Sequence, residues 1–222
     1  MLAFSSLLGN VEGQNIYRIW YDKPASYWEE ALPVGNGRIA AMVFGDPQLE
    51  QIQLNEETVS AGSPYQNYNE EAKTALPEMR RLIFEGKYEE AQNMAATKIL
   101  SQVGNEMPYQ TVGRLNIRYQ DHKKVNNYYR DLDISNAVAV TRYKVDGVEF
   151  TEETFASFTD QLVIRHIKAS KPGTINCELF FNTPMRDPKR SIYGKKGLRL
   201  EGITHGSRYF PGKVHYCADL DV

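Results

Sequence analysis

Cysteine is scarce: Cys177 and Cys217 are the only two in 222 residues. Two are too few for a disulfide framework, and neither stands in a CxxC or Cys/His spacing that would suggest structural zinc. Both fall in strand-like runs, where they read as buried free thiols unless those strands are neighbours with the right geometry. Charge of one sign is also missing. The formal net charge is −2, with acids and bases interspersed. No basic patch stands out, which argues against nucleic acid as a partner. No apolar run is long enough to span a bilayer. No internal repeat and no low-complexity segment occurs. The four histidines, His122, His166, His205 and His215, are scattered. None stands beside a serine or cysteine in a recognisable nucleophile–base signature. His166 lies within a strand-like run and reads as a satisfied, half-buried group.

What is present points to sheets. The chain is long enough to bury a sizeable core, and an all-β unit of this length as one domain is ordinary. Tyrosine is abundant, at 14 residues, which suits packed β-sheets and also sugar-contacting surfaces.

The stretch from Trp28 to Gly62 organises the rest. Pro33, Gly35 and Gly37 punctuate a tight turn. Ile39 to Phe44 is a short apolar run whose length and flanking Gly and Pro suit a buried strand. Gly45-Asp46-Pro47 ends it, and Leu49, Ile52 and Leu54 open a second strand through a hairpin. Before this stretch, Ile16–Tyr21 alternates as a first strand. After it, the period changes. Residues 70–85 place Ala72, Leu76, Met79, Leu82 and Ile83 on one helical face. Pro77 is expected to start a fresh helical segment, because its ring clashes inside a helix. Gly86 stops the helix. Residues 87–101 follow as a second helix, giving an antiparallel pair inserted at about 70–101.

Strands resume at Leu115, Ile117 and Tyr119, which alternate with polar residues. Residues 128–134 form another candidate. Residues 138–145 and 148–158 flank Asp146-Gly147, a strong hairpin signal. Residues 162–169 and 174–181 flank a turn at Lys171-Pro172-Gly173. Residues 184–196 read as a long basic exposed loop, either solvated or in contact with anionic glycans. Residues 198–203 and 214–222 are the last strands. Many short strands at regular spacing predict a mainly β chain, an antiparallel β-sandwich of the supersandwich type carrying the helical pair.

The segments WEEALPVGNGR, AAMVFG and QIQLNEETVSAGSP resemble the opening of the α-L-fucosidases of glycoside hydrolase family 95. LIFEGKYEEAQ, YQTVGRLNI and FASFTDQLVIRHIKASKPGTI are similar to later pieces of the same family and occur in the same order. The resemblance covers nearly everything from Ile19 to Val222. The chain departs from the family's pattern at Ser60, usually an aromatic, and at Arg114, often acidic or small. The resemblance implies an N-terminal β-sandwich domain, residues 15–222, of a secreted or periplasmic bacterial exo-acting α-L-fucosidase. Such enzymes hydrolyse terminal fucose by inversion, some relatives preferring galactose. Their catalytic acid and water-activating residues lie in an (α/α) barrel that follows the sandwich. The implied partners are that barrel and, through the full enzyme, fucosylated glycans. No cofactor, no metal and no catalytic residue is expected in this stretch, which reads as truncated at its C-terminus. Residues 1–14 read either as a signal-peptide remnant or as a disordered tail. A second functional class stays open: a free-standing carbohydrate-binding β-sandwich module.

Candidate site residues cluster in the organising stretch. Glycoside hydrolysis usually needs two carboxyl groups across the scissile bond. The adjacent acids Glu29-Glu30, Glu56-Glu57 and Glu152-Glu153 point to opposite strand faces, so no such pair is a dyad by itself. Glu56 is the best single candidate; its alternative is a structural or solvated acid. Asn36 and Arg38 either shape a sugar-pocket rim, or Arg38 and Asn55 tie the turn to the next strand by backbone hydrogen bonds. Trp28 either stacks on a sugar or packs at a domain interface.

Overall fold

Alternating inward and outward residues drive most of the chain into antiparallel strands. The computed structural model describes residues 17–62, 67–101, 107–206 and 211–222. They divide into two compact units. One holds residues up to Glu56 together with Gly113–Asn182; the other holds Glu57–Val112 and Thr183–Val222. The 1–14 segment lies outside the described residues.

The first unit is a sandwich of two five-stranded sheets. One sheet has the order β1-β6-β7-β8-β9: Arg18–Tyr21, Val125–Asp133, Val138–Val145, Val148–Ser157 and Leu162–Ala169. The other has the order β10-β5-β4-β3-β2: Cys177–Asn182, Gly113–Tyr119, Leu49–Glu56, Ile39–Val43 and Leu32–Gly35. Every pairing is antiparallel. Leu115, Ile117 and Tyr119 are buried together with Ala41, Val43 and Ile52, as their alternation predicts. Across from them Tyr143, Val145 and Phe150 form a hydrophobic cluster, with Tyr128 packed on it.

Turn chemistry fixes the joins. Asp146 and Gly147 both take positive φ, 48° and 81°, closing the expected β7–β8 hairpin. The turn at residues 171–173 joins strands of different sheets, since β9 pairs with β8 and β10 with β5. Gly45 has φ of 75°, and a methyl group there would sit 2.8 Å from the Tyr128 hydroxyl and 2.9 Å from Arg130 Cδ. Only glycine fits that close approach. A bulge between Asn126 and Tyr129 interrupts the β6–β7 register, with Asn127 at φ 51°. It turns Tyr128 inward and Tyr129 to the outer face.

The second unit carries the helical pair and a three-stranded antiparallel sheet. Helix α1 spans Ala72–Phe84 and α2 spans Tyr88–Met94, continued by a π-helical turn at Ala95–Ile99. The reading that Pro77 begins a new helix is corrected: α1 runs through it. The cost is one hydrogen bond to the Lys73 carbonyl, at a position where both residues are exposed. Gly86 does end α1. Its N–H donates to the Ile83 carbonyl and that of Lys87 to Leu82, the two bonds of a Schellman cap. Buried Asn69 donates to the carbonyls of Thr97 and Leu100, tying the start of the pair to its end.

The sheet of this unit has the order β11-β12-β13: Arg186–Tyr193, Gly197–Ile203 and His215–Leu220. The expected basic loop at 184–196 is therefore corrected to a strand and its turn. All eight residues of β11 are exposed, so this edge strand has no apolar alternation to betray it. The cysteines are free, as expected, but not buried: Cys177 is half-buried and Cys217 exposed, in different units. Among the described residues no helix is long and apolar enough to cross a membrane.

Candidate functional site

Polar side chains gather at several places in the sandwich. The first is the β2–β3 turn. Asn36 Oδ1 accepts from the backbone N–H groups of Arg38 and Ile39, at 3.1 and 2.9 Å, so its side chain closes the turn. Its Nδ2 donates to the Ser157 carbonyl at 2.8 Å, tying the turn to the end of β8 in the facing sheet. Arg38 Nε lies 3.1 Å from Glu56 Oε1 at the end of β4. The turn is thus tied to the next strand through the Arg38 and Glu56 side chains, beside the β3–β4 ladder in which Asn55 pairs with Ala40. Asn55 accepts from the Glu56 N–H at 3.1 Å, a contact within its own strand end.

Trp28 belongs to a separate segment, a one-turn 3-10 helix at Trp28–Glu30 that precedes β2. Half of its surface is exposed. That segment is held by Arg130, which is fully buried. Arg130 donates from Nε to the Lys23 carbonyl and from Nη1 to the Glu30 carbonyl, at 2.8 and 2.7 Å, and covers the Tyr21 ring. Three of the five candidates, Asn36, Arg38 and Glu56, therefore converge; Asn55 sits beside them and Trp28 apart.

The second place lies between the sheets. Glu50 on β4 and Glu152 on β8 are fully buried and share one guanidinium, that of Arg165 on β9. Arg165 Nη2 contacts both carboxylates, at 2.8 Å for Glu50, and Nη1 donates to the Thr154 hydroxyl at 2.7 Å. Glu50 also accepts from the backbone N–H groups of Phe44 and Gly45. The hydroxyls of Tyr119 and Tyr143 donate to Glu152 Oε1 at 2.6 Å each. His122 stacks on Tyr119, with ring centroids 4.2 Å apart, and its Nδ1 donates to the Pro47 carbonyl.

Burial sets the electrostatics. It pushes the Glu50 carboxyl up to about 7, with Glu152 adding to the rise and Arg165 opposing it. Burial alone would pull Arg165 down, but the two carboxylates outweigh it and leave the guanidinium raised. Burial raises Tyr119 and Tyr143, reinforced by Glu152. Burial also lowers His122, against the pull of the Pro47 carbonyl. Two carboxyls facing each other superficially resemble an acid/base pair. Here both are sealed between sheets and bridged by one arginine, so no sugar reaches them. The arrangement is a strut between the sheets.

The sequence reading missed this strut. Glu50 shares the inward phase of Ile52 and Leu54 on β4, which was the available signal. Glu152 and Glu153 do point to opposite faces, as expected. Glu153 is half-buried and pairs with His166 at 3.3 Å. His166 is exposed and not half-buried, because it lies on the outer face of β9 opposite Glu153. The buried histidine is His122. Among the described residues no group of three or more His, Cys, Asp or Glu side chains converges as a metal site.

A family model described as the N-terminal domain of glycosyl hydrolase family 65 matches residues 19–218. The chain belongs to this family. Curated relatives of this glycosyl hydrolase N-terminal domain are fucosidases. It is 37% identical over 181 residues to alpha-L-fucosidase 2 of Arabidopsis thaliana, covering 79% of this chain and 21% of the plant protein. It is 26% identical over 162 residues to a probable alpha-fucosidase A of Aspergillus niger, covering 68% of this chain and 20% of the fungal one. It is 25% identical over 211 residues to the namesake from Aspergillus oryzae, covering 89% and 28%. The fucosidase-related N-terminal domain expected from the motifs is thus what the chain is. It spans between 20% and 28% of the length of these relatives.

Proposed function

We propose that this domain is the accessory β-layer of a secreted or periplasmic, family 95-type α-L-fucosidase that removes terminal fucose from glycans by inversion. The observation that carries the reading is the sandwich's own chemistry: the facing carboxyls Glu50 and Glu152 are sealed and bridged by Arg165. The acid and the water-activating groups then belong to a catalytic barrel elsewhere in the polypeptide, and that barrel is the domain's partner. The similarity to fucosidases at 37% identity supports the choice of sugar.

Within that enzyme the Asn36–Arg38–Glu56 turn and Trp28 form the rim or interdomain surface. Asn36 accepts from the Arg38 backbone N–H, and Glu56 pairs with the exposed Arg38 guanidinium. The full-length enzyme is expected to release fucose with the β-anomer formed first, read by proton NMR of the fresh product. In the same enzyme Arg38→Ala is expected to raise KM about tenfold with little change in melting temperature, the signature of lost uniform binding. Retention of configuration, or release of a different sugar only, contradicts the fucosidase reading. An unchanged KM contradicts the rim assignment alone.

A further inference from the structure

The outer face of the β1–β6–β7 sheet carries an ordered aromatic and arginine cluster that the proposed function does not use. Trp20 on β1 is 60% exposed, an unusual setting for an indole on a regular strand. Its ring lies nearly parallel to that of Tyr129, with centroids 6.2 Å apart and planes 20° apart. The bulge in β6 is what aims Tyr129 to this face. Asp131, opposite Trp20 in the register, lies between Arg18 at 2.9 Å and Arg142 at 3.2 Å. Arg18 also reaches Asp133 at 3.4 Å. Asp131 is 1% exposed, whereas Arg142 keeps 45% of its side chain in solvent. The buried carboxylate thus fixes two guanidinium groups beside an aromatic pair.

We infer that the Trp20–Tyr129 platform with Arg142 is a surface site for a single neutral pyranose ring of a glycan chain. A pyranose has one face of C–H groups, which stacks on an indole, and a rim of hydroxyls, which accept from guanidinium N–H groups. Only Nη1 of Arg142 is engaged with Asp131 among the described contacts, leaving further donors on the same group. The charge balance selects a neutral ligand: two arginines face two aspartates, so the cluster carries no surplus positive charge for an anionic sugar. Each member sits on a strand of one sheet in fixed register, so little ordering entropy is lost on binding. The site stands whether or not the fucosidase reading holds, because it needs no residue outside this sandwich.

The chain has two tryptophans, so Trp28→Phe leaves Trp20 as the sole indole reporter. Titration of that variant with methyl glycosides of L-fucose, D-galactose and D-glucose, and with glucuronic acid, reads the site by fluorescence. At least one neutral glycoside is expected to change Trp20 emission saturably, with a Kd on the order of 1 mM. Arg142→Ala and Tyr129→Ala, each placed in that background, are expected to weaken it about tenfold or more. If Tyr129→Ala fails to fold, Arg142→Ala decides. The inference is overturned by the lack of a saturable response to any neutral glycoside, by a response unchanged in Arg142→Ala, or by tighter binding of glucuronic acid than of every neutral sugar.

Discussion

Replacing Arg165 by methionine is expected to cost about 3–5 kcal/mol of stability, because it leaves two buried carboxylates with no cation between them. Glu50 and Glu152 are each fully buried and meet through this one guanidinium. Methionine roughly keeps the volume, so packing loss is a minor part of the change. The loss is largest above about pH 7, where the Glu50 carboxyl must carry its charge. Adding Glu50→Gln to Arg165→Met is expected to restore part of it, since one of the two unpaired charges is gone. Urea denaturation of wild type, the single variant and the double variant measures all three. A loss below about 1 kcal/mol for Arg165→Met, the size of an exposed ion pair, contradicts the strut.

The second large effect is a pH dependence assigned to one carboxyl. Glu50 titrates near 7 in the fold against an ordinary value of 4.5. Between those values the folded chain holds a proton that the unfolded chain releases. Stability from Glu50 is therefore complete below about pH 4.5 and is lost as pH rises through about 7. The full span corresponds to about 3 kcal/mol. His122 works in the opposite sense. Burial lowers it, so its contribution is present above its ordinary value and is lost as pH falls. The two are separated by comparing wild type with Glu50→Gln, in which the histidine's part cancels. Glutamine keeps an acceptor for the Phe44 and Gly45 N–H groups. The variant is expected to gain about 3 kcal/mol relative to wild type between pH 5 and pH 8. A difference that stays constant across that range assigns the slope to another group.

Much of the fold was legible because strand alternation and turn chemistry are local signals. Asp146-Gly147, Gly86 and the Leu115–Tyr119 alternation each specify one geometry, and each takes it in the structure. The failures were of two physical kinds. β11 is an edge strand exposed along its whole length, so no apolar alternation marks it, and its lysine and two arginines read as a loop. Pro77 is tolerated in α1 at a position where it and Lys73 are both exposed. The candidate turn was half legible. That Asn36 and Arg38 serve the turn follows from residue type. That Asn36 reaches Ser157, 121 residues away, does not. The Glu50–Arg165–Glu152 strut was hidden for the same reason: its members are far apart in sequence, and each looks like an ordinary strand charge until the sheets face each other.

The most direct measurement is fucose release by this domain alone, assayed against a terminal α-L-fucosyl disaccharide beside the full-length enzyme at equal concentration. With the facing carboxyls Glu50 and Glu152 sealed, the domain is expected to show no turnover above the uncatalysed rate while the full-length enzyme is active. Release of fucose by the domain at an enzymatic rate, abolished by a substitution within residues 17–222, would place the reacting groups inside this sandwich and contradict the accessory role.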